Sequence, residues 1–167
     1  MCVIFHAAFT WKTVSQPLLP FSLESSFQSL IQYTTPDVDA TLYHQLVGKL
    51  LYLTHTHPNL SFTIGLVAQF MHQPHESHWK AAKIIIQYIR GTVQFGIHYS
   101  VGASPSLIGF TDYDWVGDPD DRKSTAGYVF TLGLGPITWS CKKKSAISLS
   151  SVEEKYHGVV EASKEAM

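Results

Sequence analysis

Arginine is nearly missing from this chain. Arg90 and Arg122 are the only two, against nine histidines. Lys plus Arg number 12 and Asp plus Glu number 13, for a formal net charge of −1. The lack of a basic surplus excludes a global attraction to nucleic acid, so any such binding has to come from local patches. Cysteine is as scarce. Cys2 and Cys141 are two distant thiols that make no disulfide framework and lack zinc-ligand spacing, which fits a reducing compartment. No apolar run approaches the length of a membrane span. The apolar stretch from Met1 to Trp11 has no basic residue ahead of it and Lys12 behind it, the wrong order for a signal peptide. A phosphate-cradling glycine loop is absent. Ser148-Leu149-Ser150-Ser151 lacks the flanking glycines of a nucleophile elbow.

What remains is an ordinary globular composition, 45% hydrophobic over 167 residues, enough for one domain or two small ones. Residues 1–37 show no steady period and are rich in Ser, Gln and Pro from Ser15 onward, as expected of a loosely ordered leader. Asp39 or Thr41 can then cap a helix whose face is Tyr43, Leu46, Val47, Leu50, Leu51 and Thr54. Pro58 suits the first turn of a second helix, with Leu60, Ile64, Val67, Ala68 and Met71 as its stripe. A third helix is expected from Glu76 or Ser77, carrying Trp79, Ala82, Ile86 and Ile89 and closed by Gly91 as a C-terminal cap. Three amphipathic helices on short connections should pack together.

After Gly91 the period shifts towards two. Gly96 to Tyr99, Leu107 to Thr111 and Ala146 to Leu149 read as strands. Tyr128 to Leu132 and Ile137 to Ser140 read as a hairpin, with Gly133, Gly135 and Pro136 in its turn. Ser151-Val152-Glu153-Glu154 has capping-box form. Val152, Tyr156, Val159, Val160 and Ser163 mark the face of the helix that follows. That helix reaches Met167 without a stop signal, from which a domain cut short is expected. The fold class is α+β: a small helical bundle over 38–95, then strands and one helix over 96–167.

Three clusters carry candidate chemistry. Asp112, Asp114, Asp118, Asp120 and Asp121 are the densest acids, and Asp112 ends an expected strand, where a carboxylate is held rigidly. Two-metal phosphodiester hydrolysis needs several such carboxylates converging from different elements; the plain alternative is a solvated acidic loop. An EF-hand reading of Asp112-x-Asp114 with Gly117 fails at the twelfth position, Lys123. His72, His75 and His78 recur every third residue, but Gln73-Pro74 interrupts any helix that would align them on a metal, so they read as polar loop residues. Lys142, Lys143 and Lys144 follow a strand, with Arg122 and Lys123 close in sequence. They form either a phosphate-contacting patch or a solvated turn.

An ordered string of motifs adds a resemblance. DATLYHQLVGKLLYLT from Asp39, QFMHQP from Gln69 and HWKAAK from His78 come first. GFTDYDWVGD from Gly109, DRKSTAGYVF from Asp121 and ITWSCKKKSAISLSS from Ile137 follow. Residues 37 to 167 thereby resemble plant copia-type retrotransposon Pol polyproteins; the leader does not. The resemblance implies a thumb or connection segment of reverse transcriptase followed by the first part of a ribonuclease H-like mixed sheet with one helix, truncated. It implies magnesium as cofactor, an RNA–DNA hybrid as partner, a cytoplasmic setting, and neither a membrane nor a small-molecule substrate. The family's first catalytic Asp matches Asp112, the one metal ligand expected here. Its catalytic Glu precedes the tyrosine of a Ser-Thr-Glu-Ala-Glu-Tyr pattern, and here that position is Lys155. The family's next catalytic Asp lies beyond Met167. Glu154 is adjacent but points about 100° around the helix. The expectation is an inactive copy.

Overall fold

A computed structural model describes residues 36–97, 99, 106–114, 124–133, 135–143 and 150–166. The leader up to residue 35, the acids Asp118, Asp120 and Asp121 and the expected strand at 146–149 lie outside the described residues. The chain divides after Gly96 into two compact units. The described elements are helices packed together in one unit and an antiparallel sheet with a helix in the other, an α+β chain.

The first unit is helical. Helix α1 spans Ala40–Leu53, a one-turn 3₁₀ segment spans Pro58–Leu60, α2 spans Ser61–Ala68 and α3 spans Glu76–Gly91. Asp39 caps α1, its carboxylate accepting the Thr41 N–H at 2.8 Å and the Leu42 N–H at 3.4 Å, two donors that have no partner inside the helix. Pro58 opens the 3₁₀ turn, where its missing N–H costs nothing. Tyr43, Val47 and Leu50 of α1 meet Leu60, Ile64 and Val67, and Ala81, Ala82 and Ile85 of α3 close the core. Of the expected α3 face, Ala82 is buried and Trp79 and Ile89 are half-buried against the core, while Ile86 is exposed and Ala81 and Ile85 are buried instead. Lys83 Nζ lies 5.4 Å from the centroid of the Trp79 ring. Gly91 is the last residue of α3, and Thr92 caps it, its hydroxyl donating to the Tyr88 carbonyl at 2.8 Å. Pro36 and Asp37, expected to be loose, pair together with Val38 against Pro74 to Glu76: the Val38 N–H donates to the Pro74 carbonyl at 3.1 Å and the Glu76 N–H to the Pro36 carbonyl at 3.0 Å.

Tyr43 sits at the centre of this core. Its hydroxyl donates to the Val67 carbonyl at 2.7 Å, tying α1 to α2. Burial pushes its phenol well above the ordinary tyrosine value. An unfolded tyrosine releases its proton near pH 10, whereas folded Tyr43 keeps it. The helical unit should therefore lose stability as the pH rises above about 10, because deprotonation then favours the unfolded chain. Tyr43→Phe should cost about 1 kcal/mol at neutral pH and flatten that alkaline loss. Urea melts at neutral and alkaline pH check both effects.

The second unit is built on a three-stranded antiparallel sheet in the order β1-β2-β3: Leu107–Asp114, Thr125–Leu132 and Gly135–Lys143. Gly133 has φ 61°, the left-handed conformation a tight hairpin turn requires. Gly135 and Pro136 belong to β3 instead of the turn, opposite Leu132 and Thr131, with a register shift between Phe130 and Thr131. Gly96, Ile97 and Tyr99 form no strand; the Tyr99 hydroxyl instead donates to the Pro136 carbonyl at 2.6 Å. Helix α4 spans Ser151–Ala166 and packs on β1 and β2. Ser150 caps it, its hydroxyl accepting the Glu153 N–H at 3.2 Å, one residue ahead of the expected register; both registers carry a Ser three places before a Glu. The buried face of α4 is Gly158 and Ala162, one turn apart and small enough for close approach. Val152, Tyr156, Val159 and Val160, expected as its core face, are exposed.

Candidate functional site

Strand pairing gathers Asp112, Asp114, Lys142 and Lys143 at one end of the sheet. Asp112 is the sixth residue of β1, half-buried, and stands opposite Gly127, which stands opposite Cys141 on β3. Two residues on, Asp114 pairs with Thr125 and Thr125 with Lys143, which sets the Asp114 and Lys143 backbones about 10 Å apart across β2. Lys142 is exposed and Lys143 half-buried at the end of β3. One sheet end thus carries Asp112 and Asp114 on its first strand and Lys142 and Lys143 on its third. Arg122, Lys123 and Lys144 lie outside the described residues.

Side chains alternate along a strand, so Asp112 shares a face with Phe110 and with their partners Gly127 and Val129. The opposite face carries Tyr128, Phe130 and Thr138. There α4 is held, the Thr138 hydroxyl donating to a Glu165 carboxylate oxygen at 2.9 Å. Burial raises the Tyr128 phenol, and the neighbouring Glu165 carboxylate raises it further. Lys155 is the fifth residue of α4, in its second turn, and is exposed. Among the described residues no three His, Cys, Asp or Glu side chains are grouped to hold a metal ion.

The histidines have a structural part that their spacing does not reveal. His78 is 2% exposed and stacks on Phe70, ring centroids 4.0 Å apart. Its Nδ1 accepts the His75 backbone N–H at 3.0 Å, which places the ring proton on Nε2 in the neutral tautomer. His75 Nδ1 in turn lies 2.9 Å from an Asp37 carboxylate oxygen. The pair starts α3, and the backbone bridge between Asp37 and His75 holds that segment beside it. The only sequence signal was a polar residue three places after a possible N-cap.

Comparison with curated proteins places the chain. It is 42% identical over 127 residues to "Retrovirus-related Pol polyprotein from transposon RE2" of Arabidopsis thaliana, a match covering 76% of the chain and 9% of that protein. It is 41% identical over 156 residues to the corresponding RE1 polyprotein of the same plant, covering 93% and 10%. It is 36% identical over 126 residues to "Secreted RxLR effector protein 161" of Plasmopara viticola, covering 75% of the chain and 89% of that protein. No family model matches the chain, and no solved structure does. The chain belongs to the copia-type retrotransposon Pol polyprotein family. It spans about a tenth of the length of the two Arabidopsis polyproteins. No described helix is long and apolar enough to cross a membrane.

Proposed function

We propose that this chain is a degenerate, non-catalytic derivative of the family's RNA–DNA hybrid ribonuclease segment that still contacts nucleic acid. The observation that carries the reading is Lys155. A two-metal site needs anionic ligands, and an ammonium in place of the family's Glu repels magnesium instead of binding it. Asp112 alone is a poor magnesium site, so the residues present do not fit the two-metal group and no hydrolytic step is assigned to them. The cations Lys142 and Lys143 at the sheet end support the contact with nucleic acid, together with Arg122, Lys123 and Lys144 from the sequence. Each lysine that touches a phosphate contributes about 0.9 to the slope of log affinity against log salt on a duplex. Lys142→Ala with Lys143→Ala should therefore lower that slope by about 2 on an RNA–DNA hybrid, and hybrid binding unchanged by both would contradict the interface.

A second reading is a free-standing interaction protein. The Plasmopara relative favours it, because nearly all of that separately named protein corresponds to this segment. A chain that unfolds cooperatively yet binds neither hybrid nor single strand would decide for it.

A further inference from the structure

A second surface suited to nucleic acid lies on α1 and is made of residues other than the candidates named above. From Ala40 to His75 the chain has no Asp or Glu, while it carries Lys49 and five histidines. Asp39, at the other end of α1, is about 20 Å from Tyr52 at the helical rise per residue. Glu76 is engaged by Lys80 at 3.1 Å. Tyr52 itself is 77% exposed. The His55 ring meets it edge-on, with centroids 6.0 Å apart and planes at 70°. One turn towards the N-terminus, on the same face, is Gly48, where a Cβ would meet nothing within 4 Å. Glycine inside a helix is unfavourable relative to alanine, and no packing contact requires it here. Nothing, the Tyr52 ring included, lies within 4 Å of that position, so the turn preceding Tyr52 on its face is bare.

We infer that Tyr52, with the bare turn at Gly48, is a stacking platform for an unpaired base of single-stranded nucleic acid, and that Lys49 takes an adjacent phosphate. The inference rests on the nucleic-acid part of the reading above but on different residues. The C-terminal end of a helix carries partial negative charge and does not draw phosphate to itself. The attraction at Tyr52 is between an aromatic face and a base, which every base can satisfy, and the run from Ala40 to His75 sets no carboxylate against the strand's phosphates.

The test uses the full chain and a short labelled oligo(dT) strand. Tyr52→Ala should weaken binding about tenfold, the effect of losing one stacked base, while Tyr52→Phe keeps it. Gly48→Leu puts a side chain on the bare turn. It should weaken binding comparably while raising the thermal midpoint, so a folding defect is separated from a lost site. Lys49→Ala should lower the salt slope by about 0.7. Unchanged affinity in Tyr52→Ala or in Gly48→Leu overturns the platform. Loss of oligo(dT) binding with Tyr52→Ala and unchanged hybrid binding with the Lys142 and Lys143 variants would instead support the platform and contradict the sheet-end interface.

Discussion

Ile64→Ala is expected to lower the stability of the helical unit by about 2–5 kcal/mol, against about 0.5–1.5 kcal/mol for Ile64→Val. Ile64 is fully buried among the residues that α1, α2 and α3 bring together. Truncation removes apolar surface from the core and leaves a cavity, and helices clamped by the Tyr43 bond to Val67 have little freedom to close it. Against a typical total of about 5–15 kcal/mol for a domain, the alanine change removes a large share of stability. Urea denaturation followed by helical circular dichroism measures it. A loss under about 1 kcal/mol for Ile64→Ala would show that the three helices do not form one packed core.

In the sheet unit the corresponding change is Val129→Asp. Val129 is on the central strand, 0% exposed, with Phe110 and Trp139 as its partners on either side. A carboxylate there exchanges water for apolar neighbours, and a cost above about 4 kcal/mol is expected, enough to unfold the unit. Val152→Asp is the matched control. Val152 is 73% exposed near the start of α4, where a negative charge is tolerated or mildly favourable, so its effect should stay within about 0.5 kcal/mol. If the two changes cost the same, the burial pattern described for this sheet is wrong.

The sequence shows the helical unit well because its signals are local. Asp39 as a cap, Pro58 at the start of a turn and the Tyr43–Val47–Leu50 spacing each depend only on neighbours a few residues away. The face of α3 is legible in part: Ala82, Trp79 and Ile89 lie against the core as their spacing predicts, but Ile86 is exposed and Ala81 and Ile85 are buried instead. In α4 the most apolar stripe is exposed, and the small Gly158 and Ala162 are buried, because small residues allow the close approach. The His75–His78 pair was hidden because one of its partners, Asp37, comes from a segment with no period of its own. In the candidate site, Asp112 and Lys155 were named from a motif, but alternation and register place Asp112 on the face opposite the one that holds α4. That depends on strand pairing across β2, which residue spacing along the chain does not encode.

The central claim is that a member of this polyprotein family has kept nucleic-acid contact and lost hydrolysis. The most direct measurement incubates the purified chain with a labelled RNA–DNA hybrid and magnesium, following binding and strand length together. Salt-dependent binding with the RNA strand left intact is the predicted result. Magnesium-dependent cleavage that disappears in Asp112→Asn would contradict it, because it would show a working metal site despite Lys155.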